Sequence, residues 1–230
     1  MCGRYTLIHE ELLLEQMFEA EMMIHLMGRY NIAPSQPIPI VRHDLDIHRR
    51  QINFAQWGLI PSWAKDPAIG NRMINARSES LREKPSFRGI YNLKRCLIPA
   101  SGFYEWDASQ KKNRTPHYIH LLDESLFAFA GLWDTWHDPG GAQIDTCTII
   151  TTAANAMLQE LHHRMPVIIP REYYNRWLDP TNQTAKGLDE LLTPYPADEM
   201  HHYSVSTAVN KPANDSPDLI KPAPPTTLFG

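Results

Sequence analysis

Apolar and polar residues alternate along most of this chain in short runs, and only near its start does the spacing become helical. From His9 to Met27 the placement of Leu12, Leu13, Met17 and Met23 predicts one amphipathic helix with those side chains on its apolar side. Strand-like runs rich in β-branched and aromatic residues follow at Pro37–Arg42, Ile52–Ile60, Arg95–Trp106, His117–Leu122, Leu126–Trp136 and Thr146–Thr152. Asp138-Pro139-Gly140-Gly141 reads as the loop of a hairpin. Short helices are expected at Asn155–His162, Arg171–Leu178 and Gly187–Leu192, and a last strand over Tyr203–Val209. Strands without regularly intervening helices predict an α+β fold with a mostly antiparallel sheet. No repeat or linker divides the chain, so residues 1–230 are read as one domain whose proline-rich end, from about residue 210, lies extended along the body.

Composition narrows the class without naming a function. With 230 residues and 43% apolar side chains, the chain suffices for one sizeable core and is not a disordered polymer. Its 19 prolines are spread out, as expected of many strand ends and turns. No apolar stretch approaches the ~20 residues that span a bilayer, and no basic-then-apolar leader opens the chain, so a cytoplasmic protein with no membrane partner is expected. Cys2, Cys96 and Cys147 have no paired spacing, which argues against a disulfide framework and a zinc site; no metal or other cofactor is expected. The net charge of −4 opposes nonspecific polyanion binding, so any nucleic-acid contact has to come from a local basic patch.

Cys2 is the first candidate for chemistry. Methionine aminopeptidases remove Met1 before a small residue, which would leave a 1,2-aminothiol at the chain start. Such a pair condenses with an aldehyde through its amine and closes a five-membered thiazolidine through its thiol. An α-amine has a pKa of roughly 7.7–8.0, so part of it is nucleophilic near pH 7. Against this stands the plain alternative of a small buried residue. Glu105, between Tyr104 and Trp106 at a strand end, is placed for partial desolvation and general acid/base work; an outward-facing glutamate is the commoner case. His162 and His163 precede Pro166 in a turn, where one histidine suits proton donation and a capping role is the alternative. Adjacent histidines alone are too few ligands for a metal, unless His201 and His202 are recruited. Asn75-Ala76-Arg77 and Cys2-Gly3-Arg4 put arginines, suited to phosphate, beside short polar groups. Trp57, Pro61 and Trp63 are candidates for base stacking, or simply core.

The segments Met1-Cys2-Gly3-Arg4, Arg29-Tyr30-Asn31-Ile32-Ala33-Pro34, Trp57 to Trp63, Ile74 to Glu79, Arg95 to Ala100, Gly102 to Trp106, Phe129 to Trp133, Thr151 to Ala154, His162 to Pro166 and Val205 to Asn210 occur in that order. Together they resemble the SRAP (SOS response-associated peptidase) family of abasic-site processing proteins, over nearly the whole chain. The resemblance implies a single compact α+β domain with a barrel-like, mostly antiparallel core and short helices. It implies a monomer that binds abasic sites in single-stranded DNA during the response to DNA damage and links to them covalently through Cys2. Asn75, Glu105 and His162 would surround Cys2, with Asn75 positioning a hydroxyl or an oxyanion. Arg4, Arg77, Trp63, Pro34 and Thr152 would contact the DNA. Some members carry a second tryptophan where Ala64 stands, which leaves Trp63 to stack alone. The alternatives are an N-terminal-cysteine peptidase or amidohydrolase, self-processing of Met1 included, and a noncovalent single-strand-binding module.

Overall fold

The computed structural model describes residues 2–8, 11–44, 46–109 and 112–224. In chain order it contains β1 (Tyr5–Leu7), α1 (Glu11–Phe18), β2 (Ala20–Met22), β3 (Arg29–Ile32), β4 (Pro37–Asp44), β5 (Arg49–Trp57), β6 (Asn75–Arg77) and α2 (Pro85–Leu93). There follow β7 (Arg95–Ala100), β8 (Gly102–Trp106), β9 (Pro116–Leu121), β10 (Phe127–His137), β11 (Gln143–Ala153), β12 (Arg164–Pro166), β13 (Ile168–Ile169), α3 (Tyr174–Leu178) and β14 (Met200–Ser204). The α+β expectation holds, with short helices around two sheets.

Five strands close into a barrel. β5, β4, β7, β10 and β11 pair antiparallel in sequence around the ring, and β11 returns to β5 through the parallel pairs Thr146↔Gln56 and Cys147↔Trp57. Beyond that closure the end of β11 has a new neighbour on each edge. β6 pairs parallel along one, Asn75↔Ile149 to Arg77↔Thr151, and β12 pairs antiparallel along the other, Thr151↔Pro166 to Ala153↔Arg164. The second sheet, β14-β9-β8-β1-β3, is antiparallel throughout. Tyr5 of β1 joins the two layers, its ring edge-on to Trp57 and Phe129 at centroid distances of 5.5 and 5.8 Å. The two-residue period of a strand then sorts β8: Phe103 and Glu105 face the barrel, while Tyr104 faces a smaller outer cluster with Tyr118, Val205, Val209 and Leu219.

Several expected elements take other forms. The single helix to Met27 stops at Phe18, because Glu19 turns into the left-handed region (φ 49°) and Ala20–Met22 pairs with β5. Leu14 and Phe18 are the residues that α1 buries, whereas Leu12 and Leu13 are exposed; the expected start at His9 lies outside the described residues. Arg95–Trp106 is broken at Ser101, where the chain crosses from the barrel to the second sheet. The strand expected to reach Ile60 ends at Trp57. Gly58 follows at φ 135°, and a Cβ on either Gly58 or Gly70 would lie 2.8 Å from the other's carbonyl oxygen, so two glycines let the 58–74 loop fold back on itself. Asn155–His162 and Gly187–Leu192 hold only 3-10 turns, at Leu158–Glu160 and Asp189–Leu191. The last strand comes earlier than expected, at Met200–Ser204. The segment expected to lie extended instead coils, with 3-10 turns at Thr207–Asn210 and Pro217–Ile220 and a bridge between Val205 and Pro222; residues 225–230 lie outside the described residues.

Candidate functional site

Cys2 lies where β1 enters the seam between the two sheets, and it is fully buried. The backbone fixes it there: the Arg4 carbonyl accepts from Tyr104 N–H at 2.9 Å, continuing the β1–β8 ladder. From the barrel side, Asn75 Nδ2 donates to the Cys2 carbonyl oxygen at 2.8 Å. A carbonyl only accepts, so this bond fixes the amide's orientation, and it leaves Asn75 Oδ1 buried with no partner among the described residues. Asn75 therefore presents an acceptor to whatever enters beside Cys2, which suits a hydroxyl or an amine rather than a developing oxyanion.

Glu105 reaches the same point from β8 and is 6% exposed. Burial, and next the Glu105 charge, push the Cys2 thiol up to about 12, so the resting sulfur is protonated. His162 comes from the loop after the Leu158–Glu160 turn. Burial holds its imidazole below the usual histidine range, opposed by the Glu105 charge, so it is neutral at pH 7. Its Nδ1 accepts from Arg164 N–H at 2.9 Å, which places the ring proton on Nε2. Cys2, Asn75, Glu105 and His162, 160 positions apart at the extremes of the chain, are thus gathered at one seam. Among the described residues no three histidine, cysteine, aspartate or glutamate side chains cluster in a way that could hold a metal; His202 faces His117 instead, Nδ1 to Nδ1 at 3.1 Å.

The residues expected to touch DNA are dispersed. Arg77 ends β6 exposed, without an ion pair among the described residues. Trp63 projects 60% exposed from the 58–74 loop, whereas Trp57 and Pro61 are buried and belong to the core. Pro34 is half-buried in the neighbouring loop, which Ser35 Oγ ties to Asn71 at 3.3 Å. Two positions fit less well. Arg4 turns inward, with Nη1 donating to Asn31 Oδ1 at 2.8 Å and to the Val209 carbonyl at 2.6 Å. Thr152 is buried in β11.

Sequence reading passed over a clamp beside the site. Arg164 sends a two-pronged bond to Glu79, at 2.5 and 3.0 Å, and a further one to the Thr151 carbonyl at 2.5 Å. Glu79 follows β6, so this ion pair ties the strand of Asn75 and Arg77 to the loop of His162. Glu79 ends the segment from Ile74 and Arg164 lies between His162 and Pro166, but nothing in the spacing of 79 and 164 joins them.

A family model described as SOS response associated peptidase (SRAP) matches residues 1–212. The chain is 46% identical to Abasic site processing protein YoqW of Bacillus subtilis over 224 residues, covering 96% of this chain and 99% of the relative. It is 32% identical to Abasic site processing protein HMCES of Gallus gallus, covering 84% of this chain and 66% of that one. A solved structure of a protein from Bacteroides thetaiotaomicron is similar at TM-score 0.86 and 28% identity, covering 96% of this chain and all of that one.

Proposed function

The chain belongs to the SOS response-associated peptidase family, whose members above are named abasic site processing proteins, and on that premise we propose that it captures abasic sites in single-stranded DNA as a covalent adduct of Cys2. The observation that carries this reading is the Asn75 grip on the Cys2 carbonyl, with Glu105 and His162 acting on the same point.

Loss of Met1 frees the Cys2 amine. The abasic sugar rests mainly as a cyclic hemiacetal, and its opening needs a proton moved off the hydroxyl and another delivered to the ring oxygen; Glu105 and the Nε2–H of His162 supply an acceptor and a donor. The neutral amine then adds to the aldehyde carbon and water leaves, giving an imine. The sulfur acts second, because a thiazolidine closes by addition of the thiol to the imine carbon, and burial with the Glu105 charge favours the protonated thiol. Its proton passes by way of Glu105 to the imine nitrogen as the carbon–sulfur bond forms, and the ring closes as a thiazolidine. Asn75 Oδ1 accepts from the Cys2 amine or the sugar hydroxyl throughout. Arg77 and Trp63 hold the flanking strand by phosphate contact and stacking.

The test pairs intact mass with a denaturing gel. Protein shown by mass to lack Met1 is incubated with a single-stranded oligonucleotide bearing one abasic site. A shifted band that disappears in Cys2→Ala, and also when a tag is left ahead of Cys2, is the expected result. Free DNA from wild-type protein lacking Met1 overturns the reading, and peptide hydrolysis by that same sample would make it the peptidase of its family's name.

A further inference from the structure

The structure holds a cavity of about 1100 Å3 that none of Cys2, Asn75, Glu105 and His162 lines and that the abasic-site chemistry leaves unused. Ile8 and Ser101, which line it, adjoin the ends of β1 and β8 remote from Cys2 and Glu105. Its floor is apolar, built by Met17, Leu126, Phe127 and Ile168. Leu13, 49% exposed, extends that surface along α1.

The rim has one dominant sign. Asp123, Glu124, Glu172 and Glu199 surround the floor against the single guanidinium of Arg171. None of the four carboxylates is in an ion pair among the described residues, although Glu79, Asp134, Asp145, Asp189 and Asp215 elsewhere all have cationic partners. Tyr195 holds Glu199 in place by a hydroxyl bond of 3.0 Å, and Tyr203 adds a partly exposed ring able to receive a cation. Acidic side chains left without cationic partners over buried hydrocarbon form a negative, water-exposed field above an apolar trough.

We infer that this groove is a docking site for a short cationic peptide segment of a partner protein, with aliphatic side chains in the trough and lysine or arginine at the rim. Charge selects the occupant: four carboxylates against one guanidinium repel a DNA strand. The groove is separate from the Cys2 site, so the inference stands whether or not Cys2 forms an adduct.

Fluorescence anisotropy of a labelled octapeptide of alternating lysine and leucine tests it. The expected result is saturable binding that weakens with salt. Affinity should drop at least tenfold in the double variant Glu172→Lys/Glu199→Lys and severalfold in Leu13→Ala; all three side chains are exposed, so folding is preserved. Loading the Cys2 end with abasic DNA should leave peptide binding unchanged. The inference is overturned by absence of saturable binding, by equal binding of a glutamate–leucine octapeptide, or by unaltered affinity in the double variant. Displacement by equimolar spermidine also overturns it, since the groove would then be a polyamine site.

Discussion

The side-chain amide of Asn75 donates to the carbonyl oxygen of Cys2 at 2.8 Å, so a residue on the barrel holds the backbone of the candidate nucleophile on the other sheet. Replacing it with alanine removes this side-chain bond to the Cys2 carbonyl and loosens the start of the chain. Asn75→Ala should slow adduct formation roughly tenfold or more, the kinetic equivalent of a lost bond of ~1.4 kcal/mol. Asn75→Asp should be worse, because a carboxylate would face the carbonyl oxygen. Noncovalent affinity for single-stranded DNA should stay within about twofold. Equal loss of affinity and rate would mean that Asn75 binds DNA and does not position Cys2.

Glu105→Gln keeps shape and removes the charge. Adduct formation should slow by roughly 10²-fold, the lower range for a lost general acid/base, and reversal should slow with it. The same change withdraws the second-largest influence on the Cys2 thiol, so the thiol should titrate below its value of about 12. Titrating the Cys2 Cβ resonance by NMR checks the sign. An unmoved titration together with a wild-type rate would remove Glu105 from the site's chemistry.

Glu79→Gln should uncouple the two halves of the clamp. The Arg164 guanidinium holds the Glu79 carboxyl below the usual carboxylate range, so the pair stays ionised throughout neutral pH. Without the charge, the His162 loop should loosen from β6, and the pH profile of adduct formation should lose its fixed histidine tautomer. Nitrogen chemical shifts of His162 read this directly: a mixture of tautomers in the variant is the expected outcome. A single Nε2–H form in both proteins would show that the clamp is only structural.

Arg4 and Arg77 should separate stability from binding. Arg4→Ala deprives buried Asn31 and the Val209 carbonyl of a donor and should cost about 1–3 kcal/mol. Arg77→Ala should leave Tm alone, weaken DNA binding and flatten the slope of log K against log salt by about 0.7. A stability loss in Arg77→Ala with no change of slope would reverse the assignment.

Burial and then each histidine's neighbours lower the pKa of His117 and His202, with His202 acting on His117 and His201 on His202, opposed by Asp107 and Glu160. Both rings fold in neutral form. Their contribution to stability is therefore full above the unfolded value near 6.5 and is lost as pH falls below it toward the folded values. His202→Asn should flatten the fall in Tm between pH 7.5 and 5.5. A variant whose Tm falls as steeply as the wild type would exclude this pair as the source.

The sequence showed the site's members more clearly than its architecture. Cys2, Asn75, Glu105 and His162 were legible because each sits in a motif with distinctive chemistry, and the fold does bring them together. The DNA-facing list was less legible. Arg4 and Arg77 look alike on paper, yet β1 aims one at Asn31 and β6 ends with the other in solvent. That difference depends on strand pairing between remote segments, which local patterns do not encode. For the same reason Glu19 ended a helix that apolar spacing alone would have continued, and the 79–164 clamp was invisible. The barrel's parallel closure left no periodic trace either, since its short pairing is one of register between distant strands.

That closure bears on when the seam around Cys2 is assembled. β6 continues the edge of β11 on which Thr146 pairs with Gln56, and β12 continues the other, so Asn75 and His162 are brought to Cys2 from both edges of the strand that closes the ring. Pairings between such distant parts of a chain form slowly, because a long loop must be closed first. An unfinished chain would therefore carry an ordinary cysteine near its start, without the acceptor, the acid or the grip on its carbonyl. Until the ring shuts, Cys2 lacks the neighbours that would place an incoming group beside it, so the assembled seam, as distinct from the cysteine itself, exists only in the finished fold.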